Sequence, residues 1–244
     1  MKVVCTIEAR LAATRLPGKV LLPMAGKPML ELMIERLQRA RTLDEVVIAT
    51  TDRPGDDAIE ELGRRLGVGT FRGSEEDVLA RVLGAARAYE ADLIVETTGD
   101  CPLIDPAIVD KVVADYRIGG ADFVSNILPY TTPRGTDVRV FSTAALARVD
   151  ELTDDPADRE HVSLYFIERP AEYRLRNVET ALPAYAADLR LTVDTPEDLE
   201  LIRRIFEDLY PVKPDFTLSD VLELLQRRPE LIELNRHVRQ KQVR

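Results

Sequence analysis

Short runs of β-branched and aliphatic residues alternate along this chain with stretches whose apolar positions recur at helical spacing. Val3, Val4 and Ile7 predict an opening strand, and Glu45 to Thr50 (EVVIAT) predicts a second, buried one. Thr70 and Phe71 fit a short strand, and Asp92 to Glu96 another. Between them a helix is predicted from Pro28, with Leu30, Met33, Ile34 and Leu37 on one face. A second runs from about Asp56 to Leu66, where Gly67 and Gly69 stop it. A third follows Ser74, read as its N-cap, and extends to about Tyr89. Asp105-Pro106 combines an N-cap with Pro at the first helical position. Alternation of this kind predicts an α/β fold with a mostly parallel sheet covered on both faces. In such sheets ligands bind beyond the carboxyl ends of the strands.

The rhythm breaks between about 121 and 178. Extended segments at Asp122 to Ser125, Val138 to Phe141 and Tyr173 to Val178 are mixed there with helices near 143–150 and 158–168. The region reads as an insert within a single domain spanning 1–244. Arg190 to Val193 is predicted to return to the core as a strand. Thr195 then caps a helix that has Pro196 at its first position and reaches about Leu209. From about 211 a short helical extension follows, with a helix at 218–227 and a polar end, RHVRQKQVR, expected to fray.

Apolar residues make up 45% of the 244, enough for a core. The formal charge is −10, which argues against sequence-independent nucleic-acid binding. Cys5 and Cys101 have neither disulfide nor ligand spacing, and with only His161 and His237 a His-rich zinc site is excluded. No run approaches the ~18 apolar residues of a membrane span. A cytoplasmic protein is expected, without membrane or nucleic-acid partners.

Against this acidic background, one loop concentrates positive charge. ARLAATRLPGK, Ala9 to Lys19, follows the first strand and carries Arg10, Arg15 and Lys19, with Pro17-Gly18 forming a turn that aims Lys19 back at the loop. Guanidinium groups bind phosphate oxygens by paired, charge-assisted hydrogen bonds, so three cations at a strand's carboxyl end suit a nucleoside triphosphate. A solvated basic loop is the plainer alternative. Neither a Walker-type loop nor a GxGxxG follows the strand. Asp100, just past Asp92 to Glu96, and Asp194, at the end of Arg190 to Val193, are expected on the same side of the sheet. Each alone reads as a turn residue. Converging, the two carboxylates can hold Mg²⁺, which favours oxygen ligands and retains waters.

ARLAATRLPGK is similar to the signature of the CTP-dependent cytidylyltransferases that activate acidic sugars such as 3-deoxy-octulosonate and sialic-type acids. Within that family the pattern is nearest the branch named for spore coat polysaccharide biosynthesis. AGKPML at 25–30, DEVVIATTD at 44–52, FRGSEEDVLARV at 71–82, TGDCPLIDP at 98–106, DREHVSLYF at 158–166 and LRLTVDTPEDLELI at 189–202 extend the resemblance, in order, over nearly the whole chain. It implies a Rossmann-like (GT-A-like) three-layer αβα nucleotidyltransferase fold whose insert serves dimerisation, hence a homodimer. It also implies CTP as co-substrate and Mg²⁺ on Asp100 and Asp194. Ala9, Arg10, Arg15, Lys19, Thr98 and Gly99 would then contact CTP, with Arg72, Gly73 and Ser74 near cytosine and ribose.

His161 and Tyr165, four apart in a predicted helix, match a pair facing the acceptor in the family, although packing explains them equally. Arg134, Asp137 and Arg139 in PRGTDVRVF join them as acceptor candidates, the arginines hinting at an anionic, sugar-like acceptor. Ala12 and Ala13 stand where the branch usually has Gly-Ser, which removes one possible phosphate contact, and Glu8 stands where it more often has an uncharged residue. A metal-dependent glycosyltransferase and a non-catalytic nucleotide-binding regulator are the competing readings.

Overall fold

The computed structural model describes residues 1–241, so the last three residues of the polar end lie outside the described ones. Its strands are β1 (Val3–Glu8), β2 (Pro23–Met24), β3 (Lys27–Pro28), β4 (Glu45–Thr51), β5 (Gly69–Gly73), β6 (Leu93–Thr98), β7 (Phe123–Ser125), β8 (Arg139–Ser142) and β9 (Leu175–Asn177). Its α-helices are α1 (Met29–Leu37), α2 (Asp57–Leu66), α3 (Val78–Ala88), α4 (Pro106–Arg117), α5 (Thr143–Leu152), α6 (Pro156–Glu160), α7 (Leu164–Ile167), α8 (Pro196–Leu209) and α9 (Leu218–Arg227).

Seven strands form one sheet in the order β5-β4-β1-β6-β8-β7-β9, while β2 and β3 make a small separate hairpin. β1, β4, β5 and β6 are mutually parallel, and β8 runs antiparallel to β6. This is the mixed, mostly parallel sheet that the alternation predicts. The stretch 121–178 supplies its far edge, β7, β8 and β9, together with α5, α6 and α7.

Side-chain alternation divides the core between the two sheet faces. Val3, Cys5, Ile7, Ile48 and Val95 pack on one face with buried residues of α1, α4, α8 and α9. Val4, Val47, Ala49, Ile94 and Phe141 pack on the other with α3, α5 and α7. β1 and β6 sit side by side with Glu8 opposite Thr98. The loop leaving β1 therefore emerges next to the Thr98-Gly99-Asp100 turn. Gly99 N–H donates to Glu8 O at 2.9 Å, and a Cβ on Gly99 would come within 3.0 Å of that same oxygen.

Three local expectations are corrected. The helix after β5 is capped by Asp77, whose side chain accepts from Ala80 N–H. Ser74 Oγ is taken by the turn, accepting from Glu76 and Asp77 N–H. The helix predicted at 158–168 is two short ones. Pro156 starts the first early behind Asp155, and His161 leaves helical geometry with φ −114° and ψ 83°. Arg190 to Val193 does not join the sheet. Arg190 forms an isolated bridge to Arg134, and Val193 N–H donates to Asp100 O at 2.8 Å.

Candidate active site

The cationic loop is shaped by its own backbone. Ala13 and Gly18 N–H both donate to Leu11 O at 2.8 Å, and Leu11 N–H donates to the buried carboxylate of Asp56 at 2.8 Å. Gly18 turns the chain at φ +70°, a left-handed conformation open to glycine without a Cβ clash. A 3-10 turn, Lys19–Leu21, follows and points Lys19 back across the strand ends.

Lys19 Nζ donates to Asp100 Oδ2 at 3.1 Å, to Asp194 Oδ1 at 2.8 Å and to Val193 O at 2.8 Å. Arg15 reaches Asp194 Oδ2 at 3.0 Å. Four groups from three separate stretches of sequence thus meet at one point. Asp100 Oδ1 is fixed from behind by Thr98 Oγ1 at 2.6 Å and by the Cys101 thiol at 3.4 Å. Burial works against the charge on Lys19, but Asp100 and Asp194 outweigh it and hold the ammonium above its ordinary pKa. Burial likewise pushes the Asp100 carboxyl up, while the Lys19 charge and the Thr98 hydrogen bond bring it below its ordinary value. Both groups stay ionised at neutral pH.

Behind Asp194 stands a network absent from the sequence-based expectations. Arg190 Nη2 donates to Asp194 Oδ2 at 2.7 Å, and Arg190 Nε donates to Asp198 Oδ1 at 3.0 Å. Asp198, fully buried, also accepts from the N–H groups of Asp194 and Thr195 and closes a capping box with Thr195. From the C-terminal extension, buried Asn235 donates to Asp198 Oδ1 at 2.8 Å and to Arg190 O at 3.0 Å. The spacing Thr195 to Asp198, together with Arg190 four residues before Asp194, was the available signal.

Other candidates lie elsewhere. Arg10 pairs with Glu75 at 3.5 Å, bridging the cationic loop to the turn after β5. Arg72 is turned toward α2, pairing with Asp57 at 2.7 Å and Glu60 at 2.8 Å and donating to the carbonyls of Thr51 and Arg53. Gly73 accepts at its carbonyl from Asp52 N–H, and Ala9 is buried with its N–H on Ala49 O. His161 is exposed, whereas Tyr165 is buried in the α-helical layer, edge-on to Tyr173 and beneath the Arg169 guanidinium at 3.6 Å. The two do not share a helix face, because the chain leaves helical geometry at His161 and Val162 and Ser163 turn inward between them.

Arg134 stacks over the Tyr130 ring at 4.1 Å. Asp137 accepts from Tyr130 Oη at 2.9 Å and from Arg139 at 3.3 Å. Arg139 also faces Glu96 at 3.7 Å, so both acidic neighbours oppose it and little of its charge is left for an anionic ligand. Beside this group lies Glu8, whose buried Oε1, like Glu96 Oε2 and Arg139 Nε, has no hydrogen-bond partner among the described residues. Burial and the Glu96 charge push the Glu8 carboxyl up to about 8 against the pull of Arg81 and Arg139.

The Lys19 ammonium is a natural stand-in for a metal ion, seated between two carboxylate oxygens. Among the described residues no three or more His, Cys, Asp or Glu cluster as metal ligands. Asp100 and Asp194 would therefore leave most of an octahedral sphere to water and phosphate oxygens. That is how Mg²⁺ is bound in phosphoryl-transfer sites, by one or two carboxylates plus the substrate.

The chain resembles known proteins over nearly its whole length. The family profile described as cytidylyltransferase matches residues 4–231. The spore coat polysaccharide biosynthesis protein SpsF of Bacillus subtilis is 33% identical over 228 residues, covering 92% of this chain and 94% of that one. The 3-deoxy-manno-octulosonate cytidylyltransferase of Geobacter metallireducens is 30% identical over 253 residues, covering 83% and 96%. A solved cytidylyltransferase structure from Leptospira borgpetersenii superposes with a TM-score of 0.90 at 35% identity, covering 95% and 97%.

Proposed function

This chain belongs to the cytidylyltransferase family, and from that premise we propose that it transfers CMP from CTP to a small, acidic, sugar-like acceptor with release of pyrophosphate. One observation carries the reading: Lys19 and Arg15 meet Asp100 and Asp194 at the carboxyl ends of the sheet, where an α/β fold binds its ligands. Cell-surface polysaccharide synthesis is the setting that fits such a product, and the reading includes a homodimer through the 121–178 region.

Attack of an acceptor oxygen on the α-phosphate asks the protein for position and charge, with little covalent participation. Arg15 and Lys19, freed toward a bound nucleotide, neutralise the leaving pyrophosphate, and Arg10 extends this positive rim toward the β5 turn. Asp100 and Asp194 would hold Mg²⁺, which would supply charge stabilisation at phosphate oxygens. Thr98, Cys101 and Arg190 keep those carboxylates oriented. We assign the 72–74 segment to the base side of the site, with Arg72 itself committed to α2.

The test is pyrophosphate release with each of the four nucleoside triphosphates against a panel of acidic sugars. Release that requires both CTP and an acceptor is expected. Binding without turnover would favour a regulator, and a nucleoside diphosphate formed from a nucleotide-sugar would favour a glycosyltransferase.

A further inference from the structure

We infer that Lys19 is the resident cation of this site and exchanges places with the divalent metal, so that the metal binds tightly only when a triphosphate draws Lys19 away from the two aspartates. The inference rests on the reading of Asp100 and Asp194 as the metal pair, and adds an order of events to it.

Each carboxylate has one oxygen tied to the protein framework and one turned to Lys19. Asp100 Oδ1 is held by Thr98 and Cys101, and its Oδ2 faces Lys19. Asp194 Oδ2 is held by Arg190 and Arg15, and its Oδ1 faces Lys19. The two oxygens turned toward the ligand side therefore converge on a single point, and the ammonium fills it. An ammonium has three protons, and here all three have acceptors, the third being Val193 O at 2.8 Å. In this position Lys19 has no donor left for a phosphate. It can serve the nucleotide only by leaving the aspartates.

Charge balance points the same way. Lys19, Arg15 and Arg190 match Asp100, Asp194 and Asp198 one for one. A divalent ion added to the same oxygens while Lys19 stays would place like charges within hydrogen-bond reach. The Lys19 and Asp194 side chains are each only 13% exposed, so water and salt screen that repulsion weakly. A triphosphate removes the conflict by giving the ammonium another partner. The movement is small, since Lys19 begins a one-turn helix behind the Gly18 turn and its four-carbon stem rotates freely once released. Metal and nucleotide affinities are then linked, each raising the other.

The experiment measures Mn²⁺ binding to the full chain by electron paramagnetic resonance, without nucleotide. Wild type is expected to bind weakly, and Lys19→Met at least tenfold more tightly. Adding Asp194→Asn to the variant should abolish that gain. Lys19→Gln serves as a second neutral variant, and circular dichroism of each checks the fold. Unchanged or weaker Mn²⁺ binding in both neutral variants overturns the exchange. If Asp194→Asn still lowers binding in that case, the metal pair itself survives. If Asp194→Asn has no effect anywhere, the pair fails with it. Turnover of CTP by the wild type is scored separately, so loss of the proposed activity and loss of the exchange are distinguishable.

Discussion

Two sets of carboxylates lie at the same end of the central sheet, and they are partnered in opposite ways. Asp100 and Asp194 meet cations at 2.7–3.1 Å, and every one of their oxygens has a partner. Glu8 and Glu96 each keep one buried oxygen without a hydrogen bond, and Arg139 stands 3.7 Å from Glu96 with its own Nε unpaired. Burial penalises the charge on Asp100, Glu8 and Glu96 alike. Close ion pairing outweighs that penalty at Asp100, whose pKa falls, but not at Glu8 or Glu96, whose values rise. Sharing one end of the sheet does not give carboxylates a common role. The first pair holds its charge ready for a ligand, whereas the second forms a buried polar layer in which a proton does part of the pairing.

The largest expected effect separates these two sets. Asp100→Asn should lower kcat for pyrophosphate release at least about a hundredfold, roughly 2.7 kcal/mol of barrier, with the fold intact by circular dichroism. A near-normal turnover number would place Asp100 on the structural side of the comparison. An intermediate effect is expected where the two sets are joined by backbone. Gly135 has φ +98°, and a Cβ there would lie 2.5 Å from Leu191 O and Thr192 N, in the segment leading to Asp194. Gly135→Ala should cost at least about 2 kcal/mol in denaturant unfolding, because backbone on both sides must yield. Unfolding at the wild-type midpoint would show that the segment gives way more easily than its packing implies.

The effect at Glu8 differs in kind, because it depends on pH. Its proton is bound more tightly in the folded chain than at the ordinary value of 4.5, so it favours folding at low pH. That contribution is lost progressively as pH rises from about 4.5 to about 8. Glu8→Gln lacks the titration, so its Tm relative to wild type should climb across this window, by about 2–4 °C for each kcal/mol in a domain of this size. A difference that is flat with pH would remove Glu8 from the protonated set.

Much of this was legible in the letters. β-branched runs located β1 and β4, helical spacing located α1, and cap signals located α4 and α8, because in each of them local preference and burial agree. The loop cations and the two aspartates were legible as residue types at strand ends, and four of the five converge. What was hidden depended on contacts across the fold. Arg72 looks free in sequence, yet Asp57 and Glu60 reach it from the neighbouring helix. His161 and Tyr165 have helical spacing, but Val162 and Ser163 turn inward and the helix breaks between them. Leu191 and Val193 are buried like strand residues, while their backbone partners are Arg134 and Asp100, on loops of the same edge.

Asn235 gives the network behind Asp194 a reach beyond its own neighbourhood. Through it the C-terminal segment braces, from a distance, the arginine and aspartate that stand behind Asp194. Removing the segment from Asn235 onward should therefore loosen Arg190 and Asp198 and be felt at Asp194.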